Sequence, residues 1–396
     1  MVNVISEFFM TTFWKWILID VLGFIQNYGW RVIFLTVAIK LILSPLDFFN
    51  RKKTIDNARI MEKMQPELDK LSKQFANDPS ELYKRRSALY KKYGYGMFSS
   101  CLSALVTLFI FLTLIWGYTG TSQVLNDQRY EKLHEVYTTY VESPDDEQKV
   151  AQANAANDEW IEFQISLLPD SEKKDKADQE IIKALEQKLG FAGIERGDNI
   201  FTLDNIKSSD QKLRQYEEVT KYIAQKLVYD EYETHGKDSF LWIKNIWRPD
   251  TWHNPIHSQA EFYSLTKISE DAKADYNTVM AVIQYKYKGQ WNGYLILVVL
   301  SVGLNILNTY MTMRQQKANE DPTQQGAMGS MKILMFVMPF MIAMFALSQT
   351  SAFTLYMAVN SLMTLIINLI SIGILKLMDK RRQERESSPY RRRVVK

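Results

Sequence analysis

The sequence predicts an all-α membrane protein: five apolar spans, a basic helical hairpin in the cytoplasm and a large helical insert on the extracytoplasmic side. Three observations predict it. Hydrophobic residues make up 46% of the 396 residues, an ordinary share, but they pool in five windows with the polar residues gathered between them. Charge is divided just as unevenly, although the formal net charge is only +3. In the long polar stretch between the second and third windows, helical spacing recurs and strand alternation is weak.

The windows cover residues 32–49, 97–118, 294–310, 332–347 and 353–377. A helix needs about 20 apolar residues to cross a bilayer core of about 30 Å. Several windows are short or interrupted by polar residues, so the set of five carries the argument rather than any one of them. Residues 49–95 hold 12 Lys/Arg against 6 Asp/Glu, and the tail from Lys376 holds 9 against 3. Residues 118–290 hold 21 against 31. Lys/Arg-rich loops stay in the cytoplasm. The hairpin and tail are therefore expected inside and the acidic segment outside, which five spans satisfy with the N-terminus out and the C-terminus in.

Residues 8–27 follow no basic leader and precede no cleavage signal. Thr12, Lys15, Asp20, Gly23 and Asn27 share about 140° of one helical face, with Phe8, Phe9, Trp14 and Trp16 opposite. This predicts an amphipathic helix in the outer interface; a sixth span is the alternative. Residues 51–93 predict a hairpin of helices 53–75 and 79–93, turning at Asn77-Asp78-Pro79, with Ile60, Met64, Leu68 and Leu71 on one face. In the insert, helices are expected at 180–189 and 210–229. Residues 240–256, rich in Trp, suit an interfacial segment returning to the membrane. Residues 312–331 read as a polar cytoplasmic loop, and 380–396 as a basic, disordered tail.

Lys40 stands inside the first span. A charge at mid-bilayer costs roughly 2.5–3.5 kcal/mol on insertion scales and marks a functional position by default. Snorkelling to the interface, helped by a bend at Ser44-Pro45, is the structural alternative. Polar residues recur on one face of four spans: Thr36, Lys40 and Ser44; Ser100, Ser103 and Thr107; Ser301, Asn305 and Asn308; Asn360, Thr364 and Asn368. Interhelical hydrogen bonding accounts for any one stripe. Four stripes and a cation together predict a hydrophilic groove lined by Lys40, Thr36, Ser44, Ser103, Thr107, Asn305, Asn308, Asn360 and Thr364.

Other chemistry finds little support. Cys101 is the only cysteine, which excludes an intrachain disulfide and a CxxC motif. His253 and His257 are four apart, but Pro255 between them argues against a helical metal pair. No phosphate-binding GxxxxGK[ST] loop, nucleophile elbow or HExxH motif occurs. The expectation is a non-enzyme without cofactor or metal.

The order of these features resembles the YidC/Alb3 family of membrane protein insertases. The resemblance rests on LTVAIKLILSPL (35–46), MEKMQPELDKLSKQFANDP (61–79), LYKKYG (89–94), the entry to the second span at 97–101, FLWIKNIW (240–247), DPTQQ (321–325) and FTLYMAVNSLMTLI (353–366). It covers about residues 8–120 and 240–380. It implies a five-span core whose groove opens to cytoplasm and lipid, with a positive residue that attracts the acidic tail of a nascent chain. It implies nascent membrane proteins, the ribosome (through tail and hairpin) and membrane lipids as partners, with the Sec translocon a further candidate and no DNA, in the cell membrane of a bacterium. The sequence departs from the family pattern in carrying Lys40 where arginine is usual, in the insert at about 122–236, and in a start without the lipoprotein signal common in Gram-positive members. Arginine would offer a planar fork that lysine lacks. The competing readings are a secondary transporter using Lys40, against which the lack of internal symmetry argues, and a receptor with an outside ligand domain.

Overall fold

A computed structural model describes residues 12–95, 99–174, 176–236, 238–316, 337 and 340–387. Its principal helices, in chain order, are α1 (Tyr28–Gln74), α2 (Pro79–Tyr93), α3 (Ser99–Val141), α4 (Glu147–Ser166), α5 (Asp178–Leu189), α6 (Asp210–Glu231), α7 (Ile296–Gln316) and α8 (Ser351–Ser387). Among the described residues no strand forms, and an isolated bridge joins Phe240 and Ile243. The all-helical expectation therefore holds. Among the described residues two stretches are long and apolar enough to cross a membrane, Tyr28–Gln74 and Ser351–Arg381, and Ile296–Met311 is a shorter apolar helix. The chain divides into two compact units: Met1–Ser122 with Asp238–Pro255 and Trp291–Lys396, and Gln123–Lys237 with Ile256–Gln290.

In the first unit, α1 corrects the sequence reading. No separate hairpin helix starts at residue 53: α1 is assigned as one continuous helix of 47 residues that includes Pro45 and Pro66. Proline has no N–H for the carbonyl four residues back. Ser44 offsets that loss, because its hydroxyl donates to Leu41 O at 2.8 Å. Asn27 caps the start, accepting from Gly29 N at 3.0 Å and donating to Ser239 O at 2.9 Å. Gly29 leaves room for the Phe240 ring, against which a Cβ would collide. Arg31 reaches back to the carbonyls of Leu18, Gly23 and Ile25 and pins the entry segment. That segment is π-helical over Trp16–Val21, with Trp14, Leu18 and Leu22 buried and Trp16 exposed. Phe8 and Phe9 lie outside the described residues.

The hairpin closes as expected. Asp78 accepts from Ser80 N and Glu81 N, Pro79 occupies the first turn of α2, and Gly94 ends it at φ 70°. Met61, Met64, Leu68 and Leu89 form its buried core, with Leu71 against it. Tyr93 donates to the Glu67 carboxylate, which lowers the pKa of Glu67 and raises that of Tyr93.

The Trp-rich segment 240–255 folds as a hydrogen-bonded knot. Buried Asn292 donates to the carbonyls of Asn245, Arg248 and Pro249 and accepts from Asn245 N at 2.8 Å. Asp250, fully buried, accepts from Tyr294 N at 2.8 Å and Leu297 N at 2.7 Å, at the start of α7. Ser351 N and its hydroxyl both donate to Arg248 O, and Ala352 N donates to Ile246 O, at the start of α8. One irregular segment thus satisfies the open N–H groups of two helices. Leu241 inside it and Leu295 just before α7, at φ 53° and 63°, hold left-handed conformations, each costing roughly 1–3 kcal/mol that the surrounding bonds must outweigh.

α8 is a second correction. Expected to give way to disorder at residue 380, it stays helical to Ser387. Lys, Arg, Gln and Glu are good helix formers, and the apolar turns before them have already nucleated the helix. Residues 388–396 and the loop containing DPTQQ lie outside the described residues.

The second unit holds two aromatic cores. One gathers Tyr130, Leu133 and Tyr137 of α3 with Val228 of α6, Phe262, Tyr276 and Ile283. The other gathers Trp160, Ile161 and Phe163 of α4 with Leu185 of α5, Phe201, and Tyr216 and Val219 of α6. Helices α5 and α6 match the expected positions to within two residues. Buried amides fix the loop between them: Gln215 donates to Asn157 Oδ1 at 2.8 Å and Glu195 O at 2.7 Å, and Asn154 pairs with both backbone groups of Phe201.

Candidate functional site

Lys40 lies on α1 between Val32, Leu35 and Thr36, all buried, and the charged C-terminal part of the helix. It is itself only 8% exposed, which a lysine rarely tolerates without a partner. That partner is Asp47, whose carboxylate lies 3.9 Å from the Lys40 Nζ. The two residues are seven apart, two helical turns, and so share one face. Arg51 continues the same face and donates to Asn368 Oδ1 of α8. Further along, Arg59 bonds Asp379 of α8. The face of α1 that begins with Thr36 and Lys40 therefore ends in polar contacts with α8.

The sequence stripes fare unequally. Thr36 is buried, but its hydroxyl donates to Val32 O at 2.6 Å. Ser44 serves Leu41 as described above. Ser301 donates to Val298 O, Asn305 to Ser301 O, and Thr364 to Asn360 O, each within its own helix. Asn308 does cross between helices, donating to Ser361 O at 2.8 Å. The backbone of α3 includes Ser100, Ser103 and Thr107, whose side chains lie outside the described residues. No hydrogen bond joins Lys40 to the stripes of α7 or α8 among the described residues. Local satisfaction, the bland reading, accounts for Thr36, Ser301, Asn305 and Thr364, while Asn308 and Asn368 make contacts between helices.

Sequence reasoning missed Asp47 and Arg51. Asp47 fell at the end of an apolar run and was not weighed as part of its stripe. The spacings of seven and eleven from Lys40 were the available signal. Among the described residues no group of three or more His, Cys, Asp or Glu is placed to hold a metal.

Apolar helices whose outward faces carry Ile42, Phe49, Val299, Leu369 and Ile370 exposed, around a buried cation and its counter-ion, define an all-helical membrane protein. The chain belongs to the family described as 60Kd inner membrane protein, whose profile matches residues 20–146 and 222–378. The unmatched stretch, 147–221, is narrower than the 122–236 set aside from sequence. It contains α4, α5 and most of the second aromatic core.

Among its relatives, a protein of Clostridium tetani named membrane protein insertase YidC is 39% identical over 102 residues, 24% of this chain and 44% of that protein. One of Leptospira interrogans with the same name is 31% identical over 112 residues, 28% of this chain and 17% of that protein. A third, of Cupriavidus taiwanensis, is 31% identical over 101 residues, 26% and 17%. The matched stretches span less than half the length of these relatives.

Proposed function

We propose that this protein is a membrane protein insertase and chaperone that inserts and helps fold integral membrane proteins without covalent chemistry. The observation that carries the reading is Lys40, a cation buried in an apolar helix of a chain whose family includes the YidC insertases. In this reading five spans cross the cell membrane of a bacterium. The N-terminus and insert lie outside; hairpin and tail lie in the cytoplasm. Lys40 sits at a hydrophilic groove with Thr36, Ser44, Ser103, Thr107, Asn305, Asn308, Asn360 and Thr364. Its ammonium attracts an acidic tail of the nascent chain, because charges attract more strongly in low dielectric than in bulk water. The tail then crosses, and the apolar segment behind it moves into lipid. The ribosome delivers substrate to the basic hairpin and tail, and the Sec translocon is a second partner.

The test is complementation in a strain depleted of its own insertase. Lys40→Glu should impair insertion of substrates with acidic N-terminal tails, and Lys40→Arg should be tolerated. Equal insertion by wild type and Lys40→Glu defeats the groove reading. Crosslinking of residues near Lys40 to a stalled ribosome–nascent chain separates insertion from transport or reception.

A further inference from the structure

The Lys40–Asp47 pair leaves a specificity question that the groove alone does not answer. Lys40 is almost wholly enclosed, while the Asp47 side chain remains 32% exposed. At 3.9 Å the two meet at the outer limit of an ion pair, with no hydrogen bond between them among the described contacts. Arg51, four residues further on, bonds Asn368 and also lies within electrostatic reach of Asp47, so the carboxylate has a second cation to turn to when it leaves Lys40. The ammonium thus has one loosely held carboxylate, delivered by its own helix from the charged, C-terminal side.

We propose that Asp47 is a specificity-determining residue: a built-in counter-ion that an incoming carboxylate must displace from Lys40. The inference rests on the insertase reading above. Its physical basis is that a buried charge stripped of its partner is costly. An acidic residue on a substrate can take over the pairing as Asp47 turns outward to solvent, so the ammonium is never left alone. A neutral tail offers no replacement and draws nothing from the ammonium, whether the pair is open or closed. While the pair is closed Asp47 occupies the ammonium, which weakens capture of an incoming carboxylate and speeds its release. The substrate class selected is therefore a nascent chain with Asp or Glu in the segment that reaches Lys40, and Asp47 sets how strongly it is preferred.

The experiment uses the full-length protein in proteoliposomes. Ribosome-stalled chains that differ only in tail residues, acidic or amide, are scored by site-specific crosslinking near Lys40. The Asp47→Asn variant should raise the acidic-to-neutral crosslinking ratio by about 1.5-fold to fivefold, the range expected for losing one partly exposed ion pair. Asp47→Glu should leave the ratio near wild type and guards against a packing effect. In a Lys40→Ala background, Asp47→Asn should no longer raise the ratio, because the coupling partner is gone.

An unchanged or lowered ratio in Asp47→Asn, with Lys40→Ala still reducing acidic capture, overturns the counter-ion role and leaves the groove reading standing. A rise that persists in the Lys40→Ala background also overturns it. If Lys40→Ala itself leaves the ratio untouched, both readings fail. Membrane abundance of each variant, measured by immunoblot, normalises the yields.

Discussion

In the second unit the rings point inward and most charges outward: Trp160, Phe201 and Phe262 are buried and Lys226 and Glu159 pair at the surface, the buried Lys149 being held by Asp145 and the carbonyls of Val141 and Ser143. Around α1, α7 and α8 of the first unit the order is reversed. Ile42 is 77% exposed while Lys40, two residues away, is 8% exposed. The contrast shows two solvents acting on one chain. Water rewards burying apolar area; lipid does not, so packing and polar contacts hold the spans together. An exposed isoleucine is thus a marker of the medium in the first unit, where it would be a liability in the second.

The sharpest break should come at the centre of the second aromatic core. Trp160→Ala should cost about 3–5 kcal/mol and open residues 147–221 to protease in the full-length protein, since Trp160 is fully buried there. A matched pair of substitutions then tests the two solvents directly. Ile42→Asp should cost about 2.5–3.5 kcal/mol in a membrane-integration assay, against about 1 kcal/mol or less for Leu227→Asp on the surface of α6. Equal costs would remove the contrast. Asp250→Ala should lower stability by about 2–3 kcal/mol in a detergent melt, because it strands buried N–H groups of Tyr294 and Leu297.

A pH series separates the units more gently. Burial, and then hydrogen bonds to Asp145, Glu159 and Glu233, raise the phenols of Tyr216, Tyr222 and Tyr287, and burial lifts Tyr137 to about 12. A raised acid is favoured in its neutral form. These groups therefore stabilise the second unit fully below about pH 10, the ordinary tyrosine value, and the contribution fades as pH climbs through their native values. Tyrosinate absorbance should rise late and together with loss of hydrogen-exchange protection in α6. The smallest effect should be Lys132→Ala, which removes an exposed partner of Glu231 and should change stability by no more than about 1 kcal/mol.

Much of this organisation was legible in the sequence, for reasons that differ by region. The apolar helices α1, α7 and α8 followed from their runs of apolar residues, and the hairpin from Asp78-Pro79 and the spacing of Met64 and Leu68. Lys40 announced itself by its cost. Asp47 did not, because an aspartate at the end of an apolar run looks like a boundary until its spacing from Lys40 is counted. The continuity of α1 was hidden by Pro45, whose missing N–H is answered by the neighbouring Ser44. The knot was invisible because its bonds join positions more than 40 apart, as Asn245 to Asn292, and leave no periodicity. The two cores of the second unit were hidden likewise, since helical spacing says which face is apolar but not which helix it meets.

The unbroken run of α1 has a mechanical consequence. At 1.5 Å per residue its 47 residues make a rod about 70 Å long. Lys40 and the hairpin turn are fixed to that rod about 50 Å apart. Pro45 and Pro66 both lie between Lys40 and the turn, and each removes one backbone hydrogen bond from the path. A load on the hairpin therefore reaches the segment that carries the ammonium through a continuous helix whose give is concentrated at those two positions.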